Sequence, residues 1–134
     1  MSIVTIKGKE YFYDETEVLH FAEGLIGLPE MRRAVLIPLE EYEPFCWLAS
    51  LDDERNRFIV VNPQEIFADY QPQAPAVLNR EELKTFTIVT ISSDWTQTTI
   101  NLRAPIFIDA RAKRGVQSIL TDTSYRLAEA LPQN

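Results

Sequence analysis

Short apolar runs, broken by turn residues, recur along the whole 134-residue sequence, and no run sustains a helical apolar period beyond two turns. That confines the chain to sheet-dominated folds, since an isolated helix of fewer than about 12 residues is marginal in water. "SIVTIKG" alternates Ile3, Thr5 and Lys7 against Val4 and Ile6, and Gly8-Lys9 predicts a tight hairpin into "EYFYD". "EVLHFAEG" sets Val18 and His20 against Leu19 and Phe21. "AVLIPL" and "FCWLASL" are apolar on both parities, as strands buried on both faces are. "RFIVVNP", "TFTIVTISS", "TTINLRAPIFID" and "GVQSILTD" complete the set, at the spacing of a sandwich or barrel. Short helical turns are predicted at Leu28–Arg33, after the Asn62-Pro63 cap, and at "NREEL", where Asn79 precedes Glu82 by three residues. "DYQPQAPAVL" reads as an extended connection or edge strand because of Pro72 and Pro75. The expected fold is all-β: a small single-domain antiparallel barrel-like or sandwich structure over residues 1–134, with a few short helical turns.

One stretch conflicts with its own pattern. In "TINLRAPIFID" the residues Ile100, Leu102, Ala104, Ile106 and Ile108 share one parity on both sides of Pro105, which cannot donate to a ladder. The even positions are therefore expected to face one core, on a continuous strand at an edge or one bent without a slip of register.

The formal charge is −7, and it is unevenly spread. Residues 1–54 hold twelve acids and four bases, a net of −8, and residues 55–134 hold eight acids and nine bases, a net of +1. Such a surface disfavours direct contact with nucleic acid and favours a basic protein partner. No apolar run approaches the roughly 20 residues of a membrane-spanning helix, and "MSIVTIKGKEYFYDETE" does not read as a signal peptide. The single cysteine, Cys46, fits a reducing compartment. The expectation is a cytoplasmic protein, away from membranes.

Catalytic constellations are not found. His20 and Cys46 are each the only residue of their kind and sit in apolar strand contexts, which predicts packing rather than a nucleophile–base pair or a metal site. Asp52-Asp53-Glu54-Arg55 reads as a solvated turn, since adjacent residues of an extended chain point to opposite faces. Gly24 and Gly27 are wrongly placed for a phosphate loop. "ARAKRG" carries Arg111, Lys113 and Arg114 to a hairpin tip, with Gly115 able to take a positive φ. From the residues alone the chain is an acidic β-rich binding module, with no cofactor, no metal and no enzymatic activity expected.

Three stretches together resemble the FliW family of flagellar assembly factors. "FAEGLIGLPEMRRAVLIPL" (Phe21–Leu39) is similar to the family's opening segment, with its two glycines ahead of an apolar strand. "PFCWLASLDDERNRFIVVNPQEIFADY" (Pro44–Tyr70) is similar to the central block: a strand ending near Ser50, an acidic turn, Asn-Pro, then Asp69-Tyr70. "TTINLRAPIFIDARAKRGVQSIL" (Thr98–Leu120) resembles the run in which Asn101, Leu102, Ala104, Pro105 and Gln117 fill the family's places. Asp109 stands where the family usually has Asn, and Ala22 where it often has Pro.

The resemblance implies a cytoplasmic partner-switch. Such a protein binds flagellin as a chaperone; when free, it binds the small basic RNA-binding regulator CsrA and relieves its repression of flagellin mRNA translation. Under this reading Glu40, Glu41, Glu43, Asp52, Asp53 and Glu54 form part of the face for CsrA. Asp69, Tyr70, Asn101, Arg103 and Pro105 lie near the surface for flagellin. The unbound chain is expected to be a monomer. The alternative is a generic acidic β-rich interaction module with a different basic partner.

Overall fold

The computed structural model describes residues 1–78 and 81–132. The cap expected at Asn79 lies outside the described residues. Eleven strands are present among them: β1 (Ser2–Ile6), β2 (Lys9–Tyr13), β3 (Leu19–His20), β4 (Arg33–Pro38), β5 (Cys46–Ser50), β6 (Arg57–Val61), β7 (Leu83–Thr90), β8 (Thr99–Ile100), β9 (Ile106–Asp109), β10 (Arg114–Gln117) and β11 (Glu129–Ala130). The main sheet runs β11-β8-β7-β6-β5-β4-β3-β10-β9, and β7 also pairs with β9, so seven strands close into a ring. β1 and β2 form a separate two-stranded hairpin.

Closure explains why so many strands are apolar on both faces. The barrel interior holds Leu19, Ala34, Leu48, Val60, Ile106 and Ile108, together with Phe21, Leu25 and Met31 from the loop after β3. The outer wall is covered in three places. The β1–β2 hairpin lays Val4, Ile6 and Tyr13 against Val35, Ile37 and Ala49. Tyr70 and Leu131 pack with Val61, Val89, Ile100 and Leu102. Ala74 and Leu78, from the proline-rich connection, cover Phe107. That connection forms no strand and ends in a turn, where the Leu78 amide donates to the Pro75 carbonyl.

The turns differ from expectation at several points. The β1–β2 turn falls on Lys7 and Gly8, at φ 51° and 80°, one residue earlier than the Gly8-Lys9 reading. Two positive φ values give the mirror-image turn whose twist suits a hairpin. Residues 28–33 form no helix. Gly24 and Gly27 take φ of 68° and 82° and fold the chain into a tight bridge between Leu25 and Leu28 instead. A Cβ at Gly24 would run into the Leu28 and Pro29 carbonyls. In the β9–β10 turn the positive φ belongs to Lys113, at 58°, not to Gly115. Gly115 has another purpose: a Cβ there would overlap the Phe21 ring, so only glycine lets that ring fill the barrel beneath β10. The Asn62 cap is found as expected, its side chain accepting from the Gln64 amide at the head of a 3-10 turn, Pro63–Glu65.

"TINLRAPIFID" is two strands. β8 and β9 lie along the same edge of β7, with Val89 opposite Ile100 and Phe86 opposite Ile106. Three steps along β7 thus correspond to six along the other chain, so three extra residues bulge out around Pro105. The common parity is real but serves two cores: Ile100 and Leu102 join the Tyr70 cluster, while Ile106 and Ile108 fill the barrel. Pro105 is buried rather than exposed on an edge, and its carbonyl accepts from the Ser118 amide at 3.1 Å.

Candidate partner-binding surfaces

The six acidic residues expected on one face occupy opposite ends of β5. Glu40, Glu41 and Glu43 are exposed at the β4–β5 tip, and Asp52, Asp53 and Glu54 form the β5–β6 tip. A five-residue strand puts roughly 16 Å between such ends. At the β5–β6 tip, buried Ser50 accepts from the Asp52 and Asp53 amides at 3.0 and 3.2 Å. The Asp52 carboxylate accepts from the Arg32 and Arg33 amides at 3.0 and 2.9 Å and from Arg33 Nε at 3.4 Å. Desolvation pushes the Asp52 carboxyl up, but those amides and the Arg33 guanidinium outweigh it and hold the carboxyl below its ordinary value. Asp53 is held at about 2 by the Arg55 side chain and amide. Two of the six carboxylates are therefore engaged in shaping their own loop. Glu41, Glu43 and Glu54 project outward, as does Glu40, whose 3.9 Å pair with Lys9 is exposed at both ends and worth little.

The bulge around Pro105 gathers the second expected set. Asn101 Oδ1 accepts from the Arg103 and Ala104 amides at 3.1 and 3.0 Å, which folds the bulge. The Tyr70 hydroxyl donates to the Leu102 carbonyl at 2.7 Å. Burial, with Tyr125 4.8 Å away ring to ring, raises the Tyr70 hydroxyl well above its usual pKa. Arg103 donates to the Tyr125 and Thr123 carbonyls at 2.7 and 3.0 Å and so ties down the C-terminal segment. Gln117 Nε2 donates to the Ala104 carbonyl at 3.1 Å, while its Oε1 accepts from the Ile26 amide at 2.9 Å. Tyr70 and Pro105 are buried, Asn101 and Arg103 half-buried, and Asp69 exposed.

His20 and Cys46 do not meet. His20 pairs with Arg33 at one end of β4, and Cys46 with Pro38 at the other. His20 is exposed rather than packed, at the mouth of a cleft, because its side chain leaves β3 on the outer face. Cys46 is half-buried beside the barrel interior, where desolvation pushes its thiol up. Among the described residues no group of three His, Cys, Asp or Glu side chains could hold a metal ion, and no helix is long and apolar enough to cross a membrane.

Sequence reasoning missed the cleft itself. It encloses about 430 Å³ between the loop after β3, strand β10 and the proline-rich connection, and is lined by His20, Leu25, Ile26, Val77, Leu78 and Val116 among others. Its walls come from three distant stretches, so no local motif announces it.

The arrangement of bulge, glycine loop and acidic turn can be compared with known proteins. The model of the FliW protein family matches residues 3–131. The chain belongs to the FliW family of flagellar assembly factors. A FliW flagellar assembly factor from Clostridium beijerinckii is 34% identical over 129 residues, covering 91% of this chain and 92% of that one. One from Thermotoga maritima is 34% identical over 127 residues, covering 89% and 85%. A crystal structure of the flagellar assembly factor FliW superposes with a TM-score of 0.88 at 25% identity, covering 99% of both chains. FliW membership agrees with the all-β fold. It also gives the Asn101–Pro105 and Gln117 resemblance a physical content, since these residues build the bulge and pin it to the loop after β3.

Proposed function

We propose that this chain binds flagellin as a chaperone and, when free, binds CsrA and relieves its repression of flagellin mRNA translation, without catalysing a reaction. The carrying observation is the FliW match along nearly the whole chain. The net −8 of residues 1–54, with six of their twelve acids at the two tips of β5, supports docking on a basic regulator and repulsion of phosphate near it. In this reading the outward carboxylates of Glu40, Glu41, Glu43 and Glu54 supply the field, and Asp52 and Asp53 hold the β5–β6 tip in shape. Flagellin is received near the Pro105 bulge, with Asp69 and Arg103 as contact residues and Tyr70, Asn101 and Pro105 shaping the surface.

Affinity capture from the cytoplasm of a flagellated host tests the reading: flagellin and CsrA are the expected partners, each displacing the other. A combined Glu41→Lys/Glu43→Lys/Glu54→Lys variant is expected to bind CsrA more weakly and with a flatter salt response. Unchanged calorimetric affinity would leave these acids as solubilising groups only. Asp69→Ala and Arg103→Ala should reduce flagellin recovery, and full recovery with both would remove flagellin from this surface.

A further inference from the structure

The weakest seam of the barrel and its apolar cleft coincide. β10 pairs with β9 along its whole length, Arg114 to Gln117 against Asp109 to Ile106. On its other side it meets β3 at one position, Arg114 opposite His20. The Lys113 carbonyl accepts from the His20 amide on the β3 side, and the Ser118 amide donates to Pro105 on the β9 side. Alternation along the strand then directs the main-chain groups of Gly115 and Gln117 toward the β3 side, where the parallel pair engages the Gly115 amide and β3 ends before the Gly115 carbonyl and Gln117. The cleft lies along that edge. Ile26 and Val77, 51% and 70% exposed, stand at it over buried Leu25 and Leu78. Scattered exposed apolar residues need no explanation, but here two line one concavity beside a strand edge that, among the described residues, has no ladder partner beyond the Arg114–His20 pair. The volume, about 430 Å³, admits a few side chains rather than a helix.

The charge around it is also local. In a chain of net −7, Arg111, Lys113 and Arg114 fall within four consecutive positions at this end of β10. Arg114 Nη2 donates to the Val77 carbonyl at 3.3 Å, which places the guanidinium on the lining, and Glu23 is the lining's one carboxylate.

We propose that the β10 edge accepts an extended peptide segment as an added strand, with an apolar side chain seated against Ile26, Val77 and Leu78 and a carboxylate at Arg114. Main-chain pairing supplies the affinity of such a mode, and the pocket and the charge supply its selectivity. The occupant is an acidic, apolar, extended segment of a partner protein, opposite in charge to the one that suits the tips of β5. The proposal stands independently of the two partners named above, since it uses neither the acidic tips nor the FliW assignment.

The test is an amide-shift titration of the isotopically labelled full chain with the capped peptide Ser-Asp-Val-Ile-Val-Ser. Shifts are expected at Ile26, Val77, Gly115, Val116 and Gln117. Lysine in place of the peptide's Asp is expected to weaken binding about tenfold, and proline in place of its Ile to abolish it. Because Val77 is exposed, Val77→Asp should leave the fold intact and remove binding, and Arg114→Glu should reverse the charge preference. No shift at millimolar peptide, shifts at other residues, or equal binding of the proline peptide would each overturn the proposal.

Discussion

The wall from β4 to β7 and the seam between β3 and β10 complete the same ring by different means. In the wall, Ala34–Pro38 runs antiparallel to Cys46–Ser50, and the ladder continues strand by strand into β7. At the seam there is a single parallel pair, and side chains do the rest: the Phe21 ring fills the space beneath Gly115, and Gln117 bridges the Ala104 carbonyl to the Ile26 amide. A main-chain ladder tolerates side-chain substitution, whereas a seam closed by side chains depends on a few of them. The wall rests on main-chain ladders and the seam on a few side chains.

The largest expected effect is at the ring that closes the seam. Phe21→Ala should cost about 3–5 kcal/mol in urea unfolding, because a fully buried aromatic leaves a cavity. A loss below about 1 kcal/mol would mean that the seam closes by other means. Gly115→Ala should cost about 1–3 kcal/mol by overpacking, and combining it with Phe21→Leu should recover part of the loss. Strict additivity would show that the two residues do not share the space. Gln117→Ala removes two hydrogen bonds of about 0.5–1.5 kcal/mol each. Its sharper reading is hydrogen exchange: protection should fall at Ile26 and hold at Leu48 and Val60 in the wall. Equal loss in both regions would erase the distinction.

The smallest effect is a pH response on the wall's own corner. The Asp52 carboxyl is lowered in the fold, so its contribution is complete above the ordinary value of 3.8 and is lost as pH falls through the lowered one. Asp52→Asn should therefore be less stable than the parent at pH 7, with the gap closing below about pH 4 in acid titrations. A gap independent of pH would assign the loss to loop shape rather than to charge.

The wall was legible because its strands are apolar on both parities, and a strand buried on two faces has few other homes. The choice between barrel and sandwich was not legible. It turns on β7, whose eight residues pair with β9 and then β8 along one edge, a contact between distant segments that periodicity does not report. The Pro105 stretch misled for a related reason. Three inserted residues shift the register by an odd number, but the two halves face different cores, so the buried residues keep one parity. Leu28–Arg33 looked helical because Pro29 suits a first turn, and the positive φ of Gly24 and Gly27 overrode it. Of the candidate sites, the acids were visible as composition, but their separation to the two ends of β5 was not. The cleft was invisible because His20, Ile26, Val77 and Val116 share no local pattern.

The half-buried Cys46 gives the barrel a clock. It is the chain's only thiol, it packs against the interior on β5, and desolvation disfavours the thiolate that an alkylating reagent requires. Modification at neutral pH should therefore be slower than that of a free thiol and speed up as the wall loosens. The alkylation rate of one atom would report how tightly the wall is closed around this end of β5.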